Sequence, residues 1–473
     1  MCKVVISNSS VTLLRLITAA TAISDGYDLG VINGVSLILS NRWEPKLISF
    51  FVAVMPVSVA LGALTGGFSA DRFGRKPVLI FSYTLLIVGP VIMGIPSANY
   101  LVSDSLLFVG RAIVGLGVGV GAIVGTVYMA EVAPTKNRGS LVAQESLFLS
   151  CGLLLGYLSN YLLMSVNHNY NVMLGLGAVL PTCCLLALLT YGRSLPESPH
   201  WQRMYRSPAI ETDSLLGTTT TGPEQPPPDK VFKQFMSTPG AFSAVLIGVL
   251  QPLCGIGPIL YFSDMTFSKI ESEGKEEGAV VESKPEIAMS SIFIGITKVV
   301  VLFVTTLILM DRVGRRTLLL VSSGLLILAL GGIAAVLEWA ASDPRWLLVA
   351  FCFAVGSYAV GWNCVPSVYP SEMLPTQVRT FGLSFITIIG RIISVMNAFL
   401  YPLVGLKDPK IWFLVFAIIN VVSLVLVFFF TKETLNKPLL VKASESTSES
   451  EREELALHVD DEDDSILIHK KAE

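Results

Sequence analysis

Twelve stretches of about twenty consecutive, mostly apolar residues constrain this chain more than any other feature. They lie near residues 11–36, 46–69, 77–97, 105–131, 139–163, 171–192, 239–263, 287–310, 316–338, 345–369, 380–403 and 410–431. A helix needs about 20 such residues to cross a bilayer core, whereas a strand needs about 10 in an alternating pattern. Hydrocarbon offers no hydrogen-bond partner, so every backbone polar group must be paired internally. The predicted fold class is therefore an all-α membrane protein of twelve transmembrane helices. The first stretch is too long for a signal peptide, lacks a cleavage site and carries Asp25 and Asp28, so it is read as a span. Composition agrees: of 473 residues, 15% are charged and 52% are apolar, against roughly 25% charged in a typical soluble domain. A formal net charge of −3 supplies no basic surface for nucleic acid. Six of the seven cysteines sit inside apolar runs, as small packing residues and not as a disulfide frame or zinc site. No cofactor or metal is expected.

Lysine and arginine set the orientation. Arg72, Arg75 and Lys76 follow span 2, Lys136 and Arg138 follow span 4, Arg312, Arg315 and Arg316 follow span 8, and Arg379 follows span 10. These connections share one side, predicted to be cytoplasmic together with both termini. Residues 193–238 include the run TTTTGPEQPPPDK, a linker whose composition builds no core. Residues 432–473 form an acidic tail with EREE and DDEDD, expected to be solvated. The organisation is thus a six-helix bundle over 1–192, the linker, a second bundle over 239–431, and the tail.

The halves repeat. Asp71-Arg72-Phe73-Gly74-Arg75-Lys76 and Glu131-x-x-Pro134-Thr135-x-x-Arg138 recur as Asp311-Arg312-Val313-Gly314-Arg315-Arg316 and Glu372-x-x-Pro375-Thr376-x-x-Arg379. The offset is 240 residues from Asp71 to Asp311 and 241 from Glu131 to Glu372. A single such motif is an ordinary positive loop with a glycine turn. Two motifs in order at one offset mark a parallel duplication of six spans, an architecture that places a solute site at the midplane between halves. The acidic and basic residues of these motifs are candidates for charge pairs that latch one state as the halves rock.

These residues resemble the major facilitator superfamily, and within it the sugar porter family, over all twelve spans. The loop Gly62-x-x-x-Gly66-Gly67-x-x-x-Asp71-Arg72-x-Gly74-Arg75-Lys76 is similar to the superfamily signature. Gly26-Tyr27-Asp28, Gly110-Arg111, Tyr128-x-Ala130-Glu131-x-x-Pro134-x-x-x-Arg138-Gly139, Pro196-Glu197-Ser198-Pro199 and Gln251-x-x-x-Gly255 match sugar-porter motifs. The resemblance implies alternating access by two pseudo-symmetric bundles, Asp28 and Arg111 as the proton site, and Gln251 and Tyr261 near the solute. The chain departs from the pattern in span 7, where Gln251-Pro252-Leu253-Cys254-Gly255-Ile256-Gly257 lacks the second Gln and the Asn that meet sugar hydroxyls. Ser146 stands where a Gln is usual and Ser367 where a Trp is usual. Gly295-Ile296-Thr297-Lys298 and Arg391 are closer to plant-type polyol and inositol carriers.

A charge at the bilayer centre costs about 2.5–3.5 kcal/mol on insertion scales, so such residues are usually paired and functional. Asp28, Arg111, Glu145, Lys298 and Arg391 all fall well inside spans. A neighbouring guanidinium favours a charged carboxyl and burial disfavours it. Moving Arg111 away from Asp28 in one state therefore loads a proton, and returning it releases that proton, while arginine keeps its own. The bland alternative is a static pair joining spans 1 and 4. Asp25, one turn before Asp28, is either a second vestibule carboxylate or a loop-side residue. Glu145, Lys298 and Arg391 are read as a network lining the cavity, one acid against two bases, which leaves a positive charge for water-mediated hydroxyl binding or for an anionic solute. Otherwise one of them snorkels to an interface.

The glycine run from Gly115 to Gly121 lacks nucleotide-loop spacing and gives small-xxx-small faces for helix contact. No phosphate-loop motif supports ATP-driven pumping. Pro252, Pro366 and Pro402 are expected to break helices at the cavity. Asn8-Ser9-Ser10 is a formal glycosylation acceptor on the wrong side. Leu215-Leu216 and Leu467-Ile468, each after acidic residues, resemble dileucine sorting signals. The leading reading is a monomeric proton-coupled carrier of a hexose, pentose, polyol or inositol, in the plasma membrane or a vacuolar or endosomal membrane. An organic or inorganic ion carrier of the same fold comes second, and a non-transporting nutrient sensor third, since the tail is short for recruiting partners.

Overall fold

A computed structural model describes residues 8–96, 100–132, 138–164, 166, 169–191, 197, 228–272, 285–339 and 344–434. The loop around Pro134, both dileucine patterns, most of the linker and the tail beyond Thr434 lie outside the described residues. All described regular structure is helical. The first half holds α1 (Asn8–Ser40), α2 (Pro45–Phe73), α3 (Arg75–Met93), α4 (Tyr100–Val132) and α5 (Arg138–Leu162), then α6 (Asn169–Gly175) running through a tight turn into α7 (Val179–Tyr191). A short α8 (Pro228–Met236) precedes the second half. There follow α9 (Ala241–Leu250), α10 (Gly257–Ser272), α11 (Pro285–Val304), α12 (Met310–Val313) and α13 (Arg315–Trp339). The chain closes with α14 (Pro344–Val360), α15 (Val365–Met373), α16 (Thr376–Leu400) and α17 (Pro409–Phe430). Ten segments are long and apolar enough to cross a membrane. That count is of the described residues; α1 and α5, of similar length and carrying Asp25, Asp28 and Glu145, are consistent with two further crossings.

Helices in lipid gain little from burying apolar side chains, so small residues that admit close approach decide which pairs form. Gly26 and Gly30 of α1 face Gly152 and Gly156 of α5. A Cβ on Gly26 would stand 1.8 Å from the Leu149 carbonyl oxygen, and one on Gly152 2.1 Å from that of Ile23. Gly119 of α4 packs likewise on α2, where its Cβ would lie 2.2 Å from the Val59 oxygen. The glycine run of span 4 is thus a packing device, as its spacing suggested. Between halves, α2 lies along α16, α5 along α11, and α1 against α10.

The duplicated turns are built alike. Gly74 and Gly314 take φ of 97° and 87°, a region open to glycine and strained for other residues. The arginine after each glycine is buried and donates to the carbonyl five residues back: Arg75 Nη1 to Ala70 at 2.8 Å and Arg315 Nη1 to Met310 at 2.9 Å. A distant carboxylate then caps each following helix. Glu197 Oε1 accepts the Arg75 N–H at 2.8 Å, and Glu433 Oε1 accepts the Arg315 N–H at 2.8 Å. A helix N-terminus carries partial positive charge, so carboxylates are stabilising there.

Two readings by composition need correction at their edges. Glu433 and Thr434, placed in the solvated tail, are structural: the Thr434 hydroxyl donates to Glu372 Oε2 at 2.6 Å, and Thr434 is buried. The linker also builds a small core at its end. Phe235 of α8 is fully buried against Leu374, Val378 and Ile386, with Phe381 and Phe385 beside it. Average polarity hid both, because one carboxylate facing a helix end or one aromatic at the right face suffices for docking.

The α1–α5 crossing is testable. Gly26→Ala should lower the melting temperature in detergent, at about 1–3 kcal/mol for overpacking. Gly324→Ala, where an added Cβ meets nothing within 4 Å, should not. Equal melting curves for the two variants would refute the close contact.

Candidate functional site

Two helix breaks shape the centre. The seventh crossing stops at Leu250, turns through Pro252–Cys254, and resumes at Gly257 after Gly255 at φ 79°. The tenth breaks between Val360 and Val365. Broken helix in a membrane needs side chains to take the freed carbonyls. Asn397 Nδ2 bonds Pro252 O at 2.8 Å, Asn420 Nδ2 bonds Cys254 O at 3.2 Å, Gln251 Nε2 bonds Trp362 O at 3.2 Å, and the Ser146 hydroxyl bonds Asn363 O at 3.0 Å. Pro252 and Pro366 stand at these breaks beside the cavity as expected. Pro402 lies instead in a wide turn, Tyr401–Gly405, that continues α16.

Between the halves lies a cavity of about 320 Å³. Asp25, Glu145 and Ser146 reach it from the first half, and Gln251, Tyr261, Lys298, Ser367 and Arg391 from the second. Every residue expected to contact the solute therefore lines one space. Glu145 Oε2 accepts the Thr126 hydroxyl at 2.9 Å. Arg391 Nη2 stands 3.8 Å from Asp25 Oδ2, across the two halves. Lys298 is 1% exposed and makes no ion pair among the described residues. Asp25 changes the charge count. Two carboxylates, Asp25 and Glu145, face two cations, so the net positive charge inferred from Glu145, Lys298 and Arg391 alone is cancelled. Phe262, unlike Tyr261, turns from the cavity and stacks on Tyr401 at 5.6 Å between centroids.

Asp28 and Arg111 meet as expected, but inside the first half. Arg111 Nη1 reaches the Asp28 oxygens at 3.1 and 2.9 Å, and the guanidinium lies 5.1 Å from the centre of the Phe51 ring. Both residues are buried. Asp28 borders a small pocket with Ser24, Tyr27 and Pro90, separate from the central cavity. Asp25 and Asp28, one turn apart, thus look into different spaces.

At the end of the bundle away from the arginine turns, the halves are clasped by polar groups that the sequence reading passed over. Asn33 Nδ2 of α1 lies 3.0 Å from the Ser263 hydroxyl of α10 and 2.9 Å from the Ser291 hydroxyl of α11. Asn33 Oδ1 accepts the Asp264 N–H at 3.2 Å, and Ser291 donates to the Asp264 carboxylate. Nearby, the Tyr157 hydroxyl donates to Leu260 O at 2.9 Å. Asn33 and Asp264 are polar residues within apolar runs, which was the available signal.

The turn motifs hold pairs within each half. Arg75 Nη1 bonds Asp71 Oδ1 at 3.0 Å, and Arg315 Nη2 bonds Glu372 Oε1 at 2.9 Å. Arg72 is exposed and lies 5.5 Å from the centre of the Phe73 ring. Arg379 is buried, with Nε 3.3 Å from Leu374 O. The side chains of Glu131, Arg138 and Asp311 lie outside the described residues.

A family model described as sugar (and other) transporter matches residues 14–441. "Putative polyol transporter 1" of Arabidopsis thaliana is 27% identical over 90% of this chain and 88% of its own length. "Glucose transporter GlcP" of Staphylococcus epidermidis is 27% identical over 90% and 95%. Among solved structures, the proton:xylose symporter XylE bound to 6-bromo-6-deoxy-D-glucose superposes with a TM-score of 0.73 at 19% identity, covering 91% of this chain and 98% of that one. A partially occluded inward-open form of XylE from E. coli gives 0.72 at 18% identity, covering 91% and 100%. At those identities the structural likeness is one of fold.

Removing one member of a buried ion pair costs about 3–5 kcal/mol, because the partner is left uncompensated. Arg111→Met should therefore destabilise strongly, and adding Asp28→Asn should recover part of the loss. Denaturation of the single and double variants measures this; additive losses would show that the two side chains do not interact.

Proposed function

This chain belongs to the sugar transporter family, and we propose that it is a proton-coupled symporter of a sugar or polyol working by alternating access. It is an integral, multi-pass membrane transporter and not an enzyme. The observation that carries the solute class is the charge balance of the cavity. Two carboxylates against two cations leave no net charge to attract an anion, while Gln251, Ser146, Ser367 and Tyr261 add neutral hydrogen-bonding groups. A hydroxylated neutral solute fits that lining. The organic or inorganic ion carrier was motivated by the lost hydroxyl partners and the extra cations, and Asp25 offsets the second of these.

The Asp28–Arg111 pair supplies the proton step. While the guanidinium touches both oxygens, it offsets the charge of the buried carboxylate. A movement within the first half that separates α1 from α4 at this point leaves a buried carboxylate without a counter-charge, and protonation relieves it. Arg111 keeps its own proton throughout. The pairs Asp71–Arg75 and Arg315–Glu372, with Arg72, Glu131, Arg138, Asp311 and Arg379, are proposed as the conformational latch at the basic end of both bundles. That end and both termini face the cytoplasm on the charge distribution of the loops. One chain closes the cavity, so a monomer in a lipid bilayer suffices. The membrane is the plasma membrane or, if the dileucine patterns are read, a vacuolar or endosomal one.

Proteoliposomes with an imposed pH gradient test this directly. Wild type should accumulate a polyol or monosaccharide above the level reached at equal pH. Asp28→Asn should lose that excess yet still exchange solute across the bilayer. Undiminished gradient-driven accumulation in Asp28→Asn would refute the proton role.

A further inference from the structure

Asp25 is not needed for the proton step above, yet it is an incompletely bonded charge in the cavity. It is 5% exposed, and its Oδ1 is buried with no hydrogen-bond partner among the described residues. Its Oδ2 faces Arg391 Nη2 at 3.8 Å, longer than the 2.7–2.9 Å of a charge-assisted hydrogen bond. A buried carboxylate oxygen without a partner costs free energy, and a carboxylate can accept about four bonds. Unused donors share the same space. Among the described residues, Asn363 Nδ2 is buried without a partner and the Lys298 ammonium makes no ion pair.

We propose that Asp25 is a solute-contacting residue: a hydroxyl of a neutral polyol lies beside the Asp25–Arg391 contact, donates to the carboxylate, accepts from the guanidinium, and so completes the bridge between the two halves. This rests on the transport reading and deepens it by naming the residue that sets the solute class. A hydroxyl both donates and accepts, so it satisfies Asp25 on one side and Arg391, Lys298 or Asn363 on the other. An ionised solute carboxylate has no hydrogen to give Asp25, and a carboxylate or phosphate meets two acidic side chains, Asp25 and Glu145, in one cavity. Because α1 belongs to the first half and α16 to the second, a solute held this way ties the halves together. Closure then becomes cheaper with solute bound than without, which is what a carrier requires of its cargo.

The test uses the full chain in proteoliposomes at equal pH on both sides, so that it does not depend on proton coupling. Exchange of labelled xylitol and labelled myo-inositol is measured against unlabelled xylitol, myo-inositol, xylonate and glucuronate. In wild type the neutral polyols should compete at least tenfold better than the acids. In Asp25→Asn the concentration of polyol giving half-inhibition should rise about tenfold or more, the value of a charged hydrogen bond, and the preference over the acids should narrow. Equal half-inhibition by xylitol in wild type and variant, or xylonate competing as well as xylitol in wild type, overturns the inference while leaving polyol transport intact. A wild-type protein that exchanges neither polyol and takes up the acids overturns the transport reading itself. Should Asp25→Asn not fold, Asp25→Glu keeps the charge and moves it by one methylene. It should reorder xylitol and myo-inositol as competitors, and an unchanged order counts against Asp25 as a solute contact.

Discussion

Hydrocarbon surrounds this protein, and nothing polar can be satisfied there. That constraint orders the whole interior. Charges, broken backbone and buried amides are gathered onto the inner faces of the crossings, where they can meet one another. The outward faces are left to residues such as Phe68, Leu328 and Phe429, which are more than half exposed. Once polar groups are confined to the inside, each must find a partner or wait for one. The helix breaks near Gln251 and Gly361 show the first case: four freed carbonyls are each taken by a named side chain. Asp25 Oδ1 and Asn363 Nδ2 show the second. Both kinds of group lie within the same few turns of helix.

The duplication is visible at atomic detail where it matters for stability. Each half repeats the glycine turn, the buried arginine that bonds five residues back, and the carboxylate cap from a distant segment. The halves then diverge. The arginine pairs with Asp71 on the preceding helix in the first half and with Glu372 of α15 in the second. The helix breaks that frame the cavity, on the seventh and tenth crossings, belong to the second half. The first half supplies the Asp28–Arg111 pair. On the proposed reading, proton chemistry and solute contact are divided unequally between the two halves, and Asp25 on α1 is where they come nearest.

The repeat, the spans and the broad identity of the pocket were legible because they depend on pattern: apolar run length, motif spacing, and charges where charges are expensive. What pattern could not decide was direction around a helix axis. Asp25 and Asp28 are three residues apart, a rotation of about 300° on an ideal helix, so their side chains point about 60° apart. That difference sends Asp28 to Arg111 on α4 and Asp25 to Arg391 on α16. The sequence contains both residues but not the neighbours that divide them. Glu433 and Phe235 were missed for a related reason: each sits in a segment whose average polarity masks one residue with a docking partner far away in the chain. Asn33 and Asp264 looked like isolated polar interruptions until folding set them side by side.

Alternating access demands that the two ends of the cavity close in turn and that neither closure be too strong. At the end away from the arginine turns, the closure is a set of directional hydrogen bonds among Asn33, Ser263, Asp264 and Ser291. Nearer the other end, Ala63, Ile123, Val127 and Leu383 form an apolar contact from both halves. Each hydrogen bond contributes a net of about 0.5–1.5 kcal/mol, so the polar clasp holds at a few kcal/mol. An apolar contact of that size in a lipid setting rests mainly on packing and contributes on a similar scale. A ligand can shift a two-state equilibrium only by its differential affinity for the two states, and a few charge-assisted bonds to a polyol reach that range. The structure therefore needs no strong gate: two modest closures of opposite chemistry suffice, provided the cargo and, on the proposed reading, the proton each favour one state over the other.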